Sequence, residues 1–151
     1  MFDVKKFMSA QFVAREEDVP VPDMKDFFGE DKKPVWRVRG LNGQELGVAN
    51  ASAERNRNIE AVLEGIVSAV SAKKAEAVRK LVGAREDVPD DIAKRLEMLV
   101  LGSVEPAADI ELAIKICRVY PIEFYSITNT INRLTGMGFD TKKKSTSSGK
   151  T

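Results

Sequence analysis

The chain predicts a mainly α fold: a compact bundle of four or five helices with an extended N-terminal arm, one short strand or hairpin, and a disordered C-terminal tail. Three observations predict it. Apolar residues recur at helical spacing in the longer segments, proline and glycine punctuate the segment boundaries, and only one run has good strand composition. The expected organisation is a single helical domain over residues 1–140, with 1–34 a loosely attached arm, followed by a flexible tail over 141–151.

The arm begins with scattered apolar residues, Phe2, Val4, Phe7, Met8, Phe12 and Val13. An acidic, proline-bearing stretch from Glu16 to Pro22 follows, extended because a residue before proline avoids the α region. Asp23 can cap a short helix over Met24 to Phe28, which Gly29 ends. Val35 to Arg39 is the strand candidate, β-branched and aromatic after Pro34, with Trp36 counted on its polar side. Asn42 and Glu45 have the spacing of a capping box and should open a long helix. Ile59, Val62, Leu63, Ile66, Val67 and Val70 form one amphipathic stripe in it, and a break is expected at 83–88.

Pro89 suits a first helical position, with Asp90 and Asp91 in the first turn, where the helix dipole favours negative charge. That helix runs to about Leu101 and stops at Gly102. Pro106 should open the next, carrying Ile110, Ala113, Ile114 and Cys117 on one stripe up to Tyr120-Pro121. In the last, Phe124, Ile127, Ile131 and Leu134 align, and Gly136 is the expected C-cap. The polar run after Phe139 cannot bury enough apolar surface to offset its ordering entropy.

Composition narrows function. With 24 Lys and Arg against 23 Asp and Glu, the chain lacks the positive field of a non-specific nucleic-acid binder. It has no histidine, which removes the usual general base, the commonest metal ligand and every Ser-His or Cys-His nucleophile. Cys117 is the one cysteine, so no internal disulfide or CxxC pair can form, and a reducing, cytosolic setting is expected. The opening run MFDVKKFMSAQF interrupts its apolar residues with charge, unlike an export signal, and no apolar segment approaches the roughly 20 residues of a membrane span.

No motif carries chemistry. Ser148-Gly149-Lys150-Thr151 imitates the end of a phosphate loop, but Lys144 stands where its first glycine belongs. Gly136-Met137-Gly138 reads as helix termination. The carboxylates Glu16-Glu17-Asp18, Asp90-Asp91 and Asp109/Glu111 read as solvated or structural, and Cys117 as a small buried hydrophobe. Arg37 and Arg39 should pair with local acids. The expectation is therefore no catalytic residue, no metal and no cofactor. The apolar surplus lies outside the long helices, in Phe2, Phe7, Phe12, Phe27, Phe28 and Trp36. Either these cover the core or some form a patch that docks a partner.

The run VWRVRGLNGQEL, a long amphipathic helix, LVLGSVEP, then VYPIEFYSITNTINRLTGMG and a lysine-ended tail together resemble the tail assembly chaperones of long-tailed bacteriophages and prophages, over roughly residues 34–140. The resemblance rests on the order of elements. It implies a helical protein of the bacterial host cytoplasm that binds the tape measure protein, keeps it soluble while the tail tube polymerises, and then leaves. It also implies a longer, frameshifted form that contacts the tail-tube protein, and Gly149-Lys150 is a position where such a slip can be encoded. Phe7, Phe28, Trp36 and Leu41 are the residues to test for client contact. The alternatives are a structural or adaptor protein that stays in the tail and, further off, a small helical nucleic-acid binder.

Overall fold

The computed structural model describes residues 1–54 and 89–142. The long stripe from Ile59 to Val70, the expected break at 83–88 and the Gly149-Lys150 position lie outside them. The described chain has a mixed α/β fold, which corrects the helical bundle that periodicity predicts and that the resemblance implies. It contains α1 (Val4–Ser9), β1 (Phe12–Val13), β2 (Glu16–Pro20), a 3-10 helix (Pro22–Phe27) and β3 (Val35–Arg39). A helix α2, described over 43–54, comes next. Beyond the undescribed stretch follow α3 (Asp90–Gly102), β4 (Ser103–Glu105), α4 (Ile110–Val119), α5 (Pro121–Met137) and β5 (Asp140–Thr141).

The central sheet is three-stranded and antiparallel, in the order β2-β3-β4. Its register explains why so acidic a segment as Glu16 to Pro20 is a strand. Glu16 stands opposite Arg39 and Asp18 opposite Arg37, while Glu17 and Val19 face Val38 and Trp36. Opposite residues share a sheet face, so charge pairs with charge on one side, and Val19, Trp36 and Val38 fall together on the other. All three are buried, and α5 packs against both β2 and β3. Trp36 therefore belongs to the core face, not the polar one, and its indole N–H donates to Ser103 Oγ at 2.9 Å. Part of the expected arm is built into the fold. Residues 16–24 supply the edge strand and three core side chains, Val19, Val21 and Met24.

A second, two-stranded sheet pairs β1 with β5, Phe12 opposite Thr141 and Val13 opposite Asp140. Arg15 adds to this clasp, its Nε donating to the Gly138 carbonyl at 3.1 Å and its guanidinium lying 3.5 Å from Asp140.

Helices α3, α4 and α5 pack on one another. Phe124, Ile127 and Ile131 of α5 are fully buried, as their alignment predicts, beside Leu99 of α3 and Ile116 of α4. Burial of each such side chain contributes roughly 1.5–3 kcal/mol. Helix α3 passes into β4 without a loop. Gly102 serves that junction by packing, since a Cβ there would meet Ile131 Cδ1 at 2.8 Å.

The end signals shift by a few residues. Pro89 is the N-cap of α3, and Asp90 and Asp91 occupy the first turn as expected. Helix α4 starts at Ile110, not Pro106, because Asp109 caps it by accepting from Leu112 N at 2.9 Å. The left-handed glycine that follows α5 is Gly138, with φ 73°, rather than Gly136. The short helix after Pro20 is a 3-10 turn with Val21 at its cap position and no side-chain cap from Asp23.

The capping box forms as its spacing predicts. Asn42 Oδ1 accepts from Glu45 N at 2.8 Å, and Glu45 Oε1 accepts from Asn42 N at 3.0 Å. Arg39 adds a bidentate pair to the same carboxylate, at 2.9 and 2.5 Å. The Arg39 hydrogen bonds hold the Glu45 carboxyl below its ordinary value of 4.5, against the opposing effect of burial and with help from the Asn42 amide. A depressed carboxyl stabilises the fold fully above its unfolded value, and that contribution disappears as pH falls through the folded one. Glu45→Gln is expected to cost about 1 kcal/mol at neutral pH. Urea titrations from pH 7 to pH 3 should show the wild type losing that advantage over the variant below about pH 4.5.

Candidate functional site

Strand β4 is shorter than β3. Its pairing ends with Glu105 opposite Arg37, so the Val35–Trp36 half of β3 has no strand neighbour among the described residues on that side. At this place a groove of about 860 Å³ opens between β3, the 3-10 helix with the turn after it, and α4. Its lining is chiefly apolar, with Met24, Phe27 and Phe28 on one side, Val35 and Trp36 along the strand, and Leu112, Ile116, Val119 and Tyr120 on α4. This size and character are those of pockets that take a drug-sized molecule or several side chains. Some of the lining belongs to the core, such as Ile116 and Trp36, and some stands in solvent. Phe27 is 75% exposed and Val119 53%.

Six charged residues also line the groove: Asp18, Lys32, Lys33, Arg37, Glu105 and Lys115. Asp18, Arg37 and Glu105 lie side by side across the three strands. Arg37 Nε donates to Asp18 Oδ1 at 2.8 Å, which lowers the Asp18 carboxyl and raises the guanidinium, with Glu105 adding to the latter through its charge. Asp18 is thus paired with Arg37. The ion pairs formed between described residues all use arginine, and Lys32, Lys33 and Lys115 enter none of them.

A second apolar surface lies at the N-terminus. Phe2, Phe7 and Phe12 stack in a row with successive ring centroids 5.3 Å apart. Phe2 remains 68% exposed and Phe7 48% exposed, and Val4, Met8 and Val13 stand in solvent around them. Of the two open readings of the aromatic surplus, these three follow the exposed-patch one, whereas Trp36 follows the core one.

Of the four residues singled out for client contact, Phe28 and Trp36 meet at the groove, and Phe7 and Leu41 lie elsewhere. Phe7 belongs to the N-terminal patch and Phe28 lines the groove half-buried. Trp36 forms part of the groove wall at only 3% exposure, and Leu41, at 2%, is a core residue whose backbone amide donates to Thr135 Oγ1. Sequence reasoning missed Lys32, Lys33 and Lys115. Phe27 beside Phe28 was the available signal.

The other candidates keep their structural readings. Cys117 is half-buried against the core, and burial raises its thiol. Arg37 and Arg39 pair with Asp18 and Glu45. Glu17 is held by Arg133, and Asp91 by Arg95, whose guanidinium also lies 4.4 Å from the Tyr125 ring centroid. Among the described residues no cluster of three or more carboxylate, cysteine or histidine side chains could hold a metal ion, and no helix is long and apolar enough to cross a membrane. No protein family matches the chain. Neither a curated protein nor a solved structure matches it either.

Proposed function

We propose that this protein is a tail assembly chaperone of a long-tailed phage or prophage, working in the host cytoplasm. It binds the tape measure protein and keeps it soluble during tail-tube polymerisation. The observation that carries this reading is the pair of apolar surfaces left open among the described residues, the groove beside β3 and the row Phe2, Phe7 and Phe12. Apolar surface of this kind, left open to solvent, fits a protein that shields the apolar faces of another chain. The order of sequence elements that resembles the family supports the same role, and binding alone requires no cofactor. A longer form that slips frame at Gly149-Lys150 would add a contact to the tail-tube protein.

The test is co-expression with the tape measure protein encoded nearby in the source genome, read by tagged pull-down and by the soluble fraction of the client. Co-purification with rescued solubility is expected, together with the protein's absence from finished particles. An insoluble client with nothing co-purifying, or a strong signal in purified particles, would overturn the chaperone reading in favour of a tail component that stays.

A further inference from the structure

We infer that the groove between β3 and α4 binds an acidic amphipathic segment of a partner chain, its apolar side chains entering the groove and its carboxylates meeting Lys32, Lys33 and Lys115. The inference names the surface and the client chemistry for the holding role proposed above, and rests on that role only for calling the partner a client.

Charge complementarity selects the occupant. Of the six charged residues around the groove, four are cations and two are acids, and one of the acids, Asp18, is paired with Arg37. The lining therefore carries a net charge of +2, with its three ammonium groups in none of the ion pairs between described residues, and a carboxylate brought to this apolar trough gains attraction that a lysine-bearing segment would lose. The molecule's own basic segments are therefore poor occupants. The aromatic patch of a second copy would bring Lys5 and Lys6 with it, and the run Lys142-Lys143-Lys144 carries the same sign. An amphipathic helix matches the trough, with apolar residues at i, i+3, i+4 and i+7 and glutamates along the flanks of that face. Phe27 and Val119, both exposed, add apolar surface to the same lining.

Trp36 is the sole tryptophan and lines the groove, so its emission locates binding there. Three labelled peptides of about 15 residues serve as probes: one with a leucine face flanked by glutamates, one with lysines in place of the glutamates, and one with the glutamate peptide's composition scrambled. Anisotropy at low salt should show the glutamate peptide binding at least about tenfold more tightly than either other, with a change in Trp36 emission. Phe27→Asp, at an exposed position, should weaken it about tenfold. The triple variant Lys32→Glu, Lys33→Glu, Lys115→Glu should reverse the charge preference, with circular dichroism checking that both variants fold.

Equal affinity for the glutamate and lysine peptides would overturn the inference, as would an unchanged preference in the folded triple variant or indifference to Phe27→Asp. Self-association that excludes the peptide would assign the groove to a second copy, and binding of dodecanoate without any peptide would assign it to a small amphiphile. Either result also overturns it. The two readings fail separately. If the triple variant still captures the tape measure protein as the wild type does, the chaperone role stands and the groove assignment falls. If the wild type captures no tape measure protein yet prefers the glutamate peptide, the groove assignment stands and the chaperone role falls.

Discussion

Phe124→Ala should destabilise the protein by about 3–5 kcal/mol, the range for truncating a large aromatic at a site that cannot collapse around the loss. Phe124 is fully buried in the first turns of α5, and Ile127 and Ile131 continue the same face into the core. Its neighbours are held by both faces of the architecture: α5 packs against α3 and α4, and against the sheet through β2 and β3. No single element can move in to fill the space without leaving another. For a domain with a total stability of roughly 5–15 kcal/mol, the loss is a large share of the whole. Urea denaturation followed by circular dichroism should show the midpoint falling with little change in slope. A loss below about 1 kcal/mol would mean that α5 is not the element on which the core is built.

Gly40→Val is expected to cost about 3 kcal/mol or more, the upper range for forcing volume into a packed site. A Cβ at Gly40 would lie 2.9 Å from both the carbonyl carbon and the oxygen of Leu134, and 3.1 Å from Thr135 N. These are backbone atoms of α5, which cannot rotate aside as a side chain can. Movement is resisted on the Gly40 side as well, since its amide donates to the Arg15 carbonyl at 2.9 Å and the next amide, of Leu41, is bonded to Thr135. Gly40→Ala should show part of the effect, and Gly43→Ala, where a Cβ meets nothing within 4 Å, almost none. Thermal melts of the three variants would test the ranking. Equal melting temperatures would show that β3 and α5 are not in close backbone contact.

Local signals in the sequence carried the local structure. The strand at Val35 to Arg39, the Asn42/Glu45 capping box, the acidic first turn of α3 and the break at Tyr120-Pro121 all follow from side-chain chemistry within a few residues. The sheet was illegible because its partners are remote and disguised. In Glu16 to Pro20 only Val19 is buried, so the strand shows no alternation of its own and acquires one only against β3. Ser103 to Glu105 hid behind a glycine that looked like a helix stop, when that glycine is required by Ile131. The groove was half legible. Phe28 and Trp36 stand in the sequence as apolar surplus, but nothing local brings them to Leu112 and Lys115 on a helix some eighty positions later.

The disguise of β2 has its own use. It is an outer strand of the sheet, and an outer strand offers unpaired backbone groups to any similar strand that approaches. Against a second molecule in antiparallel register, Glu16, Glu17 and Asp18 would be drawn up to carboxylates of the same kind, and Pro20 has no N–H to give. Such a border repels its own likeness. A protein that carries open apolar surfaces therefore has, at this edge of its sheet, a border that resists fibril-like stacking.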